Sequence, residues 1–453
     1  MKNLKRVLAL SMAGCMAVGM LAGCNNGGDS GSGSTNSTAA GSTEAPAGEG
    51  GDASKGSVYW LNFKPESDAV LKEVAKMYTE ETKVPVNVVT AASGKYEETL
   101  SAEMDKSTPP TLFVIGTPEK AKQWGDRAAD LKGTKIADEL NTDAYNVYDP
   151  DGKLVSIGYC YEAYGIIVNP DLVEKAGHKV DDIKDFASLK TVVEDIHKRA
   201  GELKFDAFTS CDMDDSSSWR FTGHMANLEY FYEEKKAGKT WTECPATITG
   251  EYLPNFKNLY DLCINNSISK PTELATGGHD ASTQFKEGKA AFTVQGSWEY
   301  EGMKDKIPNA KMIPYYCGVE GEDKAGLNCG TENCWAVNSK ASADDQAATL
   351  DFMYWCVTNQ KASRMLVDTF GVMPYKNAAE STNAFLKNAN DYSAAGNYVM
   401  DWATNFQPNV DEYRKALVSA LNAYNADQSD KNWEQVKTAF VDGWAAQYAA
   451  VNS

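Results

Sequence analysis

Behind a first apolar run from Val7 to Ala22, hydrophobic and polar positions follow two rhythms. The stretch VYWLNF, starting at Val58, is nearly continuous in apolar character and predicts a strand. SDAVLKEVAKMYTEET, which follows, places Val70, Leu71, Val74, Met77 and Tyr78 at helical spacing. PVNVV predicts a second strand, YEETLSAEMDKS a second helix and TLFVIG a third strand. This β-α-β-α-β order predicts parallel strands covered on both faces, with ligands held beyond their carboxyl ends. The loops at those ends are Asn62 to Glu66, Ala91 to Tyr96 and Gly116 to Glu119.

A second series follows. GKLVSIGYCYEAYGIIVNPDL has strand character from Leu154 to Ile157 and from Gly165 to Asn169, and Pro170 ends it. SLKTVVEDIHKRAGEL reads as a helix, FDAFTS as a short strand and WRFTGHMANLEYFYEEK as a helix behind it. QFKEGKAAFTVQGSWEYEGMKDK reads as helix end, strand, turn and helix. The stretch from Cys334 gives a strand, two helices and an extended segment, and the final 70 or so residues are mostly helical. No fixed-period repeat is present.

The first apolar run follows Lys2, Lys5 and Arg6 and ends in small residues, the pattern of a secretory signal. It is too short for a spanning helix, and no later stretch reaches the required length. Its end, LAGC, resembles the bacterial lipobox. The resemblance implies a thioether lipid on Cys24 and cleavage before it. Residues 25–56 are almost all Gly, Ser, Thr, Ala, Asn and acids, a composition unable to bury enough apolar surface to order itself. Such a tether spans roughly 30 Å on average.

With 453 residues, the chain is long enough for two to three compact units. Its net charge of −19 becomes −22 once the three basic residues of the signal leave. This excess of acid argues against nucleic acid and anionic lipid surfaces as partners. Eight cysteines remain after Cys15 and Cys24, none in a CxxC pair, so zinc-ribbon and thioredoxin-like readings fail. Outside the cell they could form disulfides, but a chain of this size does not need them.

The order of elements and several strings resemble the family 1 extracellular solute-binding proteins of ABC importers, maltose-binding-like proteins. PPTLFVIG stands where the family has a Pro-Asp-apolar strand, with Thr111 replacing the Asp. DGKLVSIGYCYEAYGIIVNPDLVEKAG resembles its strand-hinge-strand block, FKEGKAAFTVQGSW its Gly-Lys-Ala-Ala…Gly-x-Trp segment, and the stretch from Cys334 to Asn377 its strand, long helix and closing Gly-x-x-Pro. The resemblance implies an α/β, two-lobed type II periplasmic binding protein fold. Its sheets would be mixed, mainly parallel and flanked by helices, with a hinge between the lobes. Signal (1–23) and tether (24–56) would precede lobe 1 (57–164 plus 326–373) and lobe 2 (165–325 plus 374–453). The chain would cross near Tyr161 to Gly165, Gly318 to Gly326 and Met373 to Lys376. The implied function is capture of a carbohydrate, a neutral oligosaccharide, by a monomer lipid-anchored on the outer face of the cell membrane, for delivery to an ABC permease. No enzyme activity, cofactor, metal or nucleic acid is expected.

Sugars present flat CH faces and hydroxyl rims, so their sites need aromatic platforms with carboxylates, amides and guanidinium groups. The candidates in the first lobe are Trp60, Asn62, Glu66 and Tyr96, with Tyr161 and Glu162 in the hinge block. The polar loop CDMDDSSSWRF adds Asp214, Asp215, Trp219 and Arg220, GSWEYEG adds Trp298 and Glu299, and CGTENCWAV adds Glu332 and Asn333. Asn405 to Pro408 is a weaker candidate. Asp212, Asp214 and Ser216 share the first spacing of a calcium loop, but the Gly and closing Glu of that motif are absent. A glycoside hydrolase would need two carboxylates flanking the cleft, for which Glu162 and Asp214 are the pair to consider. An acidic sugar would need a cleft cation, for which Arg220 and Lys64 are available.

Overall fold

The computed structural model describes residues 55–92, 95–209, 211–214 and 216–452. Cys24, the tether up to residue 54 and Asp215 lie outside them.

Among the described residues, twelve strands form two sheets. The first has the order β2 (Val86–Thr90), β1 (Val58–Asn62), β3 (Leu112–Phe113), β11 (Cys334–Val337), β5 (Leu154–Gly158) and β4 (Asn146–Tyr148). The second runs β12 (Tyr398–Met400), β10 (Ala325–Gly330), β6 (Glu162–Val168), β8 (Ala290–Gly296) and β7 (Asp206–Thr209), and β9 (Lys311–Ile313) also pairs with β6. Both are mixed. β1 pairs parallel with β2 and β3, as the β-α-β-α-β pattern predicts. β11 is antiparallel to β3 and β5, and β6 is antiparallel to β8, β9 and β10. The reason is topological: β6 and β11 enter their sheets from the other lobe, so each starts at the junction where its neighbours end. Mainly parallel pairing therefore holds for the opening strands and not for the whole.

Each lobe has its own core. Trp60, Leu71, Val74, Tyr78, Trp335 and Phe352 lie in the first, and Ile166, Phe208, Phe256, Phe292, Tyr413 and Trp444 in the second. In helix Asp68–Thr82 the buried residues are Leu71, Val74, Ala75 and Tyr78, one stripe at 3.6 spacing. The segment from Trp219 does not form one regular helix: Arg220–Met225 is a π-helical turn, and the α-helix runs over Asn227–Ala237.

The chain crosses between sheets first at 159–161. There Tyr161 bridges to Val372, its N–H donating to the Val372 carbonyl at 2.8 Å. The second crossing is at 331–333, not at 318–326, because β10 hydrogen-bonds to β6 and β12 within the second sheet. The third lies beyond Ala379, not at 373–376. Met373 and Tyr375 pack in the first core, the Tyr375 hydroxyl donates to the Gly158 carbonyl at 2.9 Å, and the Ala379 N–H donates to Ser363. The crossings bring the finishing ends of β1, β5, β8 and β10 together with the starting ends of β6 and β11.

Candidate functional site

Across this junction the Lys64 ammonium meets the Glu162 carboxylate at 2.9 and 3.1 Å. Lys64 sits in the turn after β1, shaped by Asn62: the Asn62 amide donates to the Lys64 carbonyl at 2.7 Å and accepts from its N–H at 3.2 Å. Glu162, the first residue of β6, also accepts from the Asn333 amide at 2.9 Å. Asn62, Glu162 and Asn333 are all buried. They form a polar knot between the lobes in which the ammonium and the carboxylate partner each other, while Asn333 Oδ1 stays buried without a hydrogen-bond partner. Beside it, Glu332 opens onto solvent and its side chain makes no hydrogen bond or ion pair among the described residues. Desolvation raises its pKa, Lys64 opposes this and Glu162 adds to it.

A run of rings crosses the second-lobe side. Trp298 is followed by His224 at 5.2 Å between centroids, His224 stacks on Tyr164 at 4.6 Å, and Tyr164 lies 5.1 Å from Trp402. Tyr164 is buried beneath the run, whereas Trp298, His224 and Trp402 are half-buried. The backbone allows this closeness. A Cβ on Gly296 would stand 2.1 Å from the Trp298 ring, and one on Gly330 would stand 2.4 Å from that of Trp402. Buried Asn227 fixes the Trp402 segment, donating to the Asp401 carbonyl at 2.7 Å and accepting from the Thr404 N–H at 2.8 Å. Burial, with Arg220, Arg414 and Lys64 nearby, holds the His224 pKa well below the usual range, so the ring is neutral.

Two cavities flank this run. The larger, about 710 Å³, lies between the lobes, with Gly116, Pro118 and Tyr145 on one side and Trp241, Trp402 and Asn405 on the other. The smaller, about 430 Å³, is lined by second-lobe residues including Asp214, Arg220, His279, Ser282 and Gln295. In it the Arg220 Nε–H donates to Gln295 Oε1 at 2.7 Å, and the Trp298 indole N–H donates to the same oxygen at 3.0 Å. The guanidinium lies 5.4 Å from the Trp298 ring centroid. Asp214 accepts from the Ser216 and Ser217 N–H groups, both at 2.8 Å. Desolvation pushes its pKa up, but hydrogen bonds from Ser217 and Ser216 outweigh this and hold it below the usual range.

The other expected residues have structural roles. Trp60 is 1% exposed and packs edge-on against Tyr159, Trp335 and Phe352, because β1 is covered on both faces. The Tyr96 hydroxyl accepts from the Val114 N–H at 2.8 Å and so ties its helix to the strand-three loop. Glu66 is exposed on the turn Pro65–Ser67. Glu299 pairs with Lys286 at 2.9 Å. The Trp219 ring is covered by the Arg414 guanidinium, 3.4 Å from its centroid. Tyr161 stacks on Tyr145 at 4.8 Å and so backs a residue of the larger cavity. Among the candidates, Asp214 and Arg220 line the smaller cavity and Trp298 borders it. Trp402, His224, Tyr145, Trp241 and Gln295 were missed, although the weaker candidate Asn405 marks the Trp402 segment.

All eight body cysteines are thiols, and Cys329, which lines the larger cavity, is the one not fully buried. No group of side chains suited to a metal ion occurs among the described residues, and none of their helices is long and apolar enough to cross a membrane.

Residues 73–395 match the model of a protein family described as bacterial extracellular solute-binding protein. The chain belongs to this family. A maltooligosaccharide ABC transporter solute-binding lipoprotein of Streptococcus pneumoniae serotype 4 is 23% identical over 317 residues, 69% of this chain and 70% of that protein. Among solved structures, RafE of S. pneumoniae in complex with raffinose superposes with a TM-score of 0.65 at 17% identity, over 88% of this chain and all of that one. The substrate-binding protein Lmo0181 of Listeria monocytogenes, in complex with cycloalternan, gives 0.63 at 16% identity over 86% and 98%. At these identities the structures establish the two-lobed solute-binding fold.

Proposed function

We propose that this solute-binding protein captures a neutral carbohydrate in its interlobe cleft, without covalent chemistry, and delivers it to the permease of an ABC transporter. A lipid on Cys24 would hold it at the outer face of the cell membrane, with residues 25–56 as the tether. The observation that carries the reading is the set of half-exposed rings Trp298, His224 and Trp402, the last two linked through buried Tyr164, beside two cavities rich in amides, hydroxyls and carboxylates. Flat apolar faces beside hydrogen-bonding groups match the two-sided chemistry of a sugar ring. The relative named for maltooligosaccharide and the neighbours in complex with raffinose and cycloalternan agree with it.

The charge pattern favours a neutral ligand over an acidic one. Lys64 is neutralised by Glu162, and Arg220 shares its cavity with Asp214 and Asp280. A hydrolase reading loses its carboxylate pair, because Glu162 is locked to Lys64 and Asn333.

A thermal-shift screen of the chain against neutral saccharides, uronic acids and polyamines tests this. Stabilisation by a neutral saccharide supports the reading, and stabilisation by uronic acids or polyamines alone contradicts it. Release of chromophore from an aryl glycoside by the pure protein would overturn the absence of catalysis.

A further inference from the structure

We infer that Glu234 and Asp401 share one proton between their side chains, and that this acid pair sets the positions of Trp241 and Trp402 in the wall of the larger cavity. The inference rests on the carbohydrate reading only in taking that cavity as a ligand site. Its test uses no ligand, so the two fail separately.

Glu234 is 3% exposed, near the end of the helix Asn227–Ala237. Its Oε1 accepts from the Trp241 N–H. Its Oε2 and the Asp401 Oδ1 are both buried without a donor, and the two side chains lie within hydrogen-bonding reach of each other. No lysine or arginine offsets either group. Ionised carboxylates only accept, so two of them facing each other are left unsatisfied and repel. One proton turns the contact into a hydrogen bond and removes the repulsion. Burial raises the pKa of Glu234, and the neighbouring Asp401 raises it further against the Trp241 N–H. Burial likewise raises that of Asp401, against the hydrogen bond with Glu234.

The pair joins the two segments that carry the tryptophans. Asn227, about two turns before Glu234 on the same helix, holds the Asp401 carbonyl and the Thr404 N–H. Glu234 holds the other side, where the chain leaves the helix through Gly238 and returns at Trp241. Beyond Trp241 the loop reaches the first lobe, the Cys244 N–H donating to Glu119 at 3.3 Å, and Trp444 anchors it through the Pro245 carbonyl at 2.7 Å.

The other titratable groups around the joint are committed elsewhere. Glu233 accepts from the Thr249 and Gly250 N–H groups, Lys235 lies 3.1 Å from the Tyr398 ring centroid, and the Tyr232 and Tyr398 hydroxyls bond each other at 3.1 Å. Asp401 also acts on buried Tyr164, which burial keeps neutral. In the cavity lining Lys122 pairs with Glu119 at 2.8 Å, and Glu243 and Asp149 add negative charge. The folded state holds the shared proton more tightly than the unfolded chain does. The contact is therefore complete below the ordinary carboxyl range and is lost as the pH rises into the alkaline range.

The test is fluorine NMR of the full chain carrying fluorotryptophan, with Trp241 and Trp402 assigned by Trp→Phe variants. The background is Glu229→Gln, so that this other raised carboxyl does not contribute. Between about pH 5 and pH 9.5 both resonances should move in one shared step on the alkaline side. Glu234→Gln keeps an oxygen for the Trp241 N–H and supplies an amide donor to Asp401, so it should hold both resonances at their low-pH positions throughout. Glu234→Ala should displace both at every pH. No shared step in the parent protein, or a step that survives in Glu234→Gln, would overturn the shared proton. A Glu234→Ala variant, folded by circular dichroism, whose two resonances match those of the parent at low pH would overturn the positioning role.

Discussion

Lys64 and Glu162, 98 positions apart in sequence, form an ion pair at 2.9 Å between the turn after β1 and the first residue of β6. Their side chains are only 18% and 4% exposed, and Asn333 completes the carboxylate's shell from the second crossing. One charge of the pair cannot be removed without stranding the other in a poorly hydrated place. Lys64→Met leaves Glu162 buried with an amide as its main partner, and should destabilise the protein by about 3 kcal/mol in denaturant unfolding. Glu162→Gln should cost less, because the longer Lys64 side chain can reach water. Equal, negligible losses for both would show that the pair does not join the lobes.

Two tryptophans expected at the site separate under substitution. Trp60→Phe leaves a void among Tyr159, Trp335 and Phe352. It should lower unfolding stability by about 1–3 kcal/mol and leave ligand affinity unchanged. Trp298→Ala should weaken saccharide binding by about 1–3 kcal/mol in calorimetry. Unchanged affinity in that variant would remove the ring from the site.

Cys329 supplies a reporter. It is half-buried in the larger cavity, whereas the other seven body cysteines are buried. Desolvation raises its thiol pKa to about 12, so maleimide labelling at neutral pH should be slow but confined first to this residue. Saturating ligand should slow it further, by about tenfold or more if it fills the cavity. Labelling at an unchanged rate, read by mass spectrometry of peptides, would place the ligand elsewhere.

Glu229 imposes a pH dependence on stability. Burial, and then the neighbouring Glu233, raise its pKa from 4.5 to about 10. The folded state thus holds this proton more tightly than the unfolded chain. The stabilisation is complete below 4.5 and declines steadily until the pH passes about 10. Glu229→Gln should flatten this part of the stability profile, seen as a smaller fall in melting temperature between pH 5 and 9. An unaltered profile would show that Glu229 is ionised in the folded protein.

The sequence made the opening strands and helices legible because each has one clear rhythm: Leu71, Val74 and Tyr78 lie on the predicted buried stripe. The ordered motifs likewise pointed to two lobes. The second crossing was misplaced because β10 reads as a strand whichever sheet it joins, and only its pairing with β6 and β12 decides. At the candidate site, local reading singled out Arg220, Asp214 and Trp298, which the structure places in or beside the smaller cavity. It failed for Trp60, whose strand is buried on both faces, and for Glu162, whose partner is Lys64. His224 and Trp402 were missed although candidates lie near them in sequence, because only the fold turns their rings toward Tyr164. His224 reaches the ring run from a π-helical turn, and Trp402 is set by Asn227, 175 residues earlier.

The central claim, a neutral saccharide held without chemistry, is tested most directly by isothermal titration of the chain against a neutral oligosaccharide panel, with the recovered ligand checked by mass spectrometry. The account predicts saturable binding of one saccharide per chain, recovered intact. No heat with any neutral saccharide, together with saturable binding of a uronic acid or a polyamine, would contradict it.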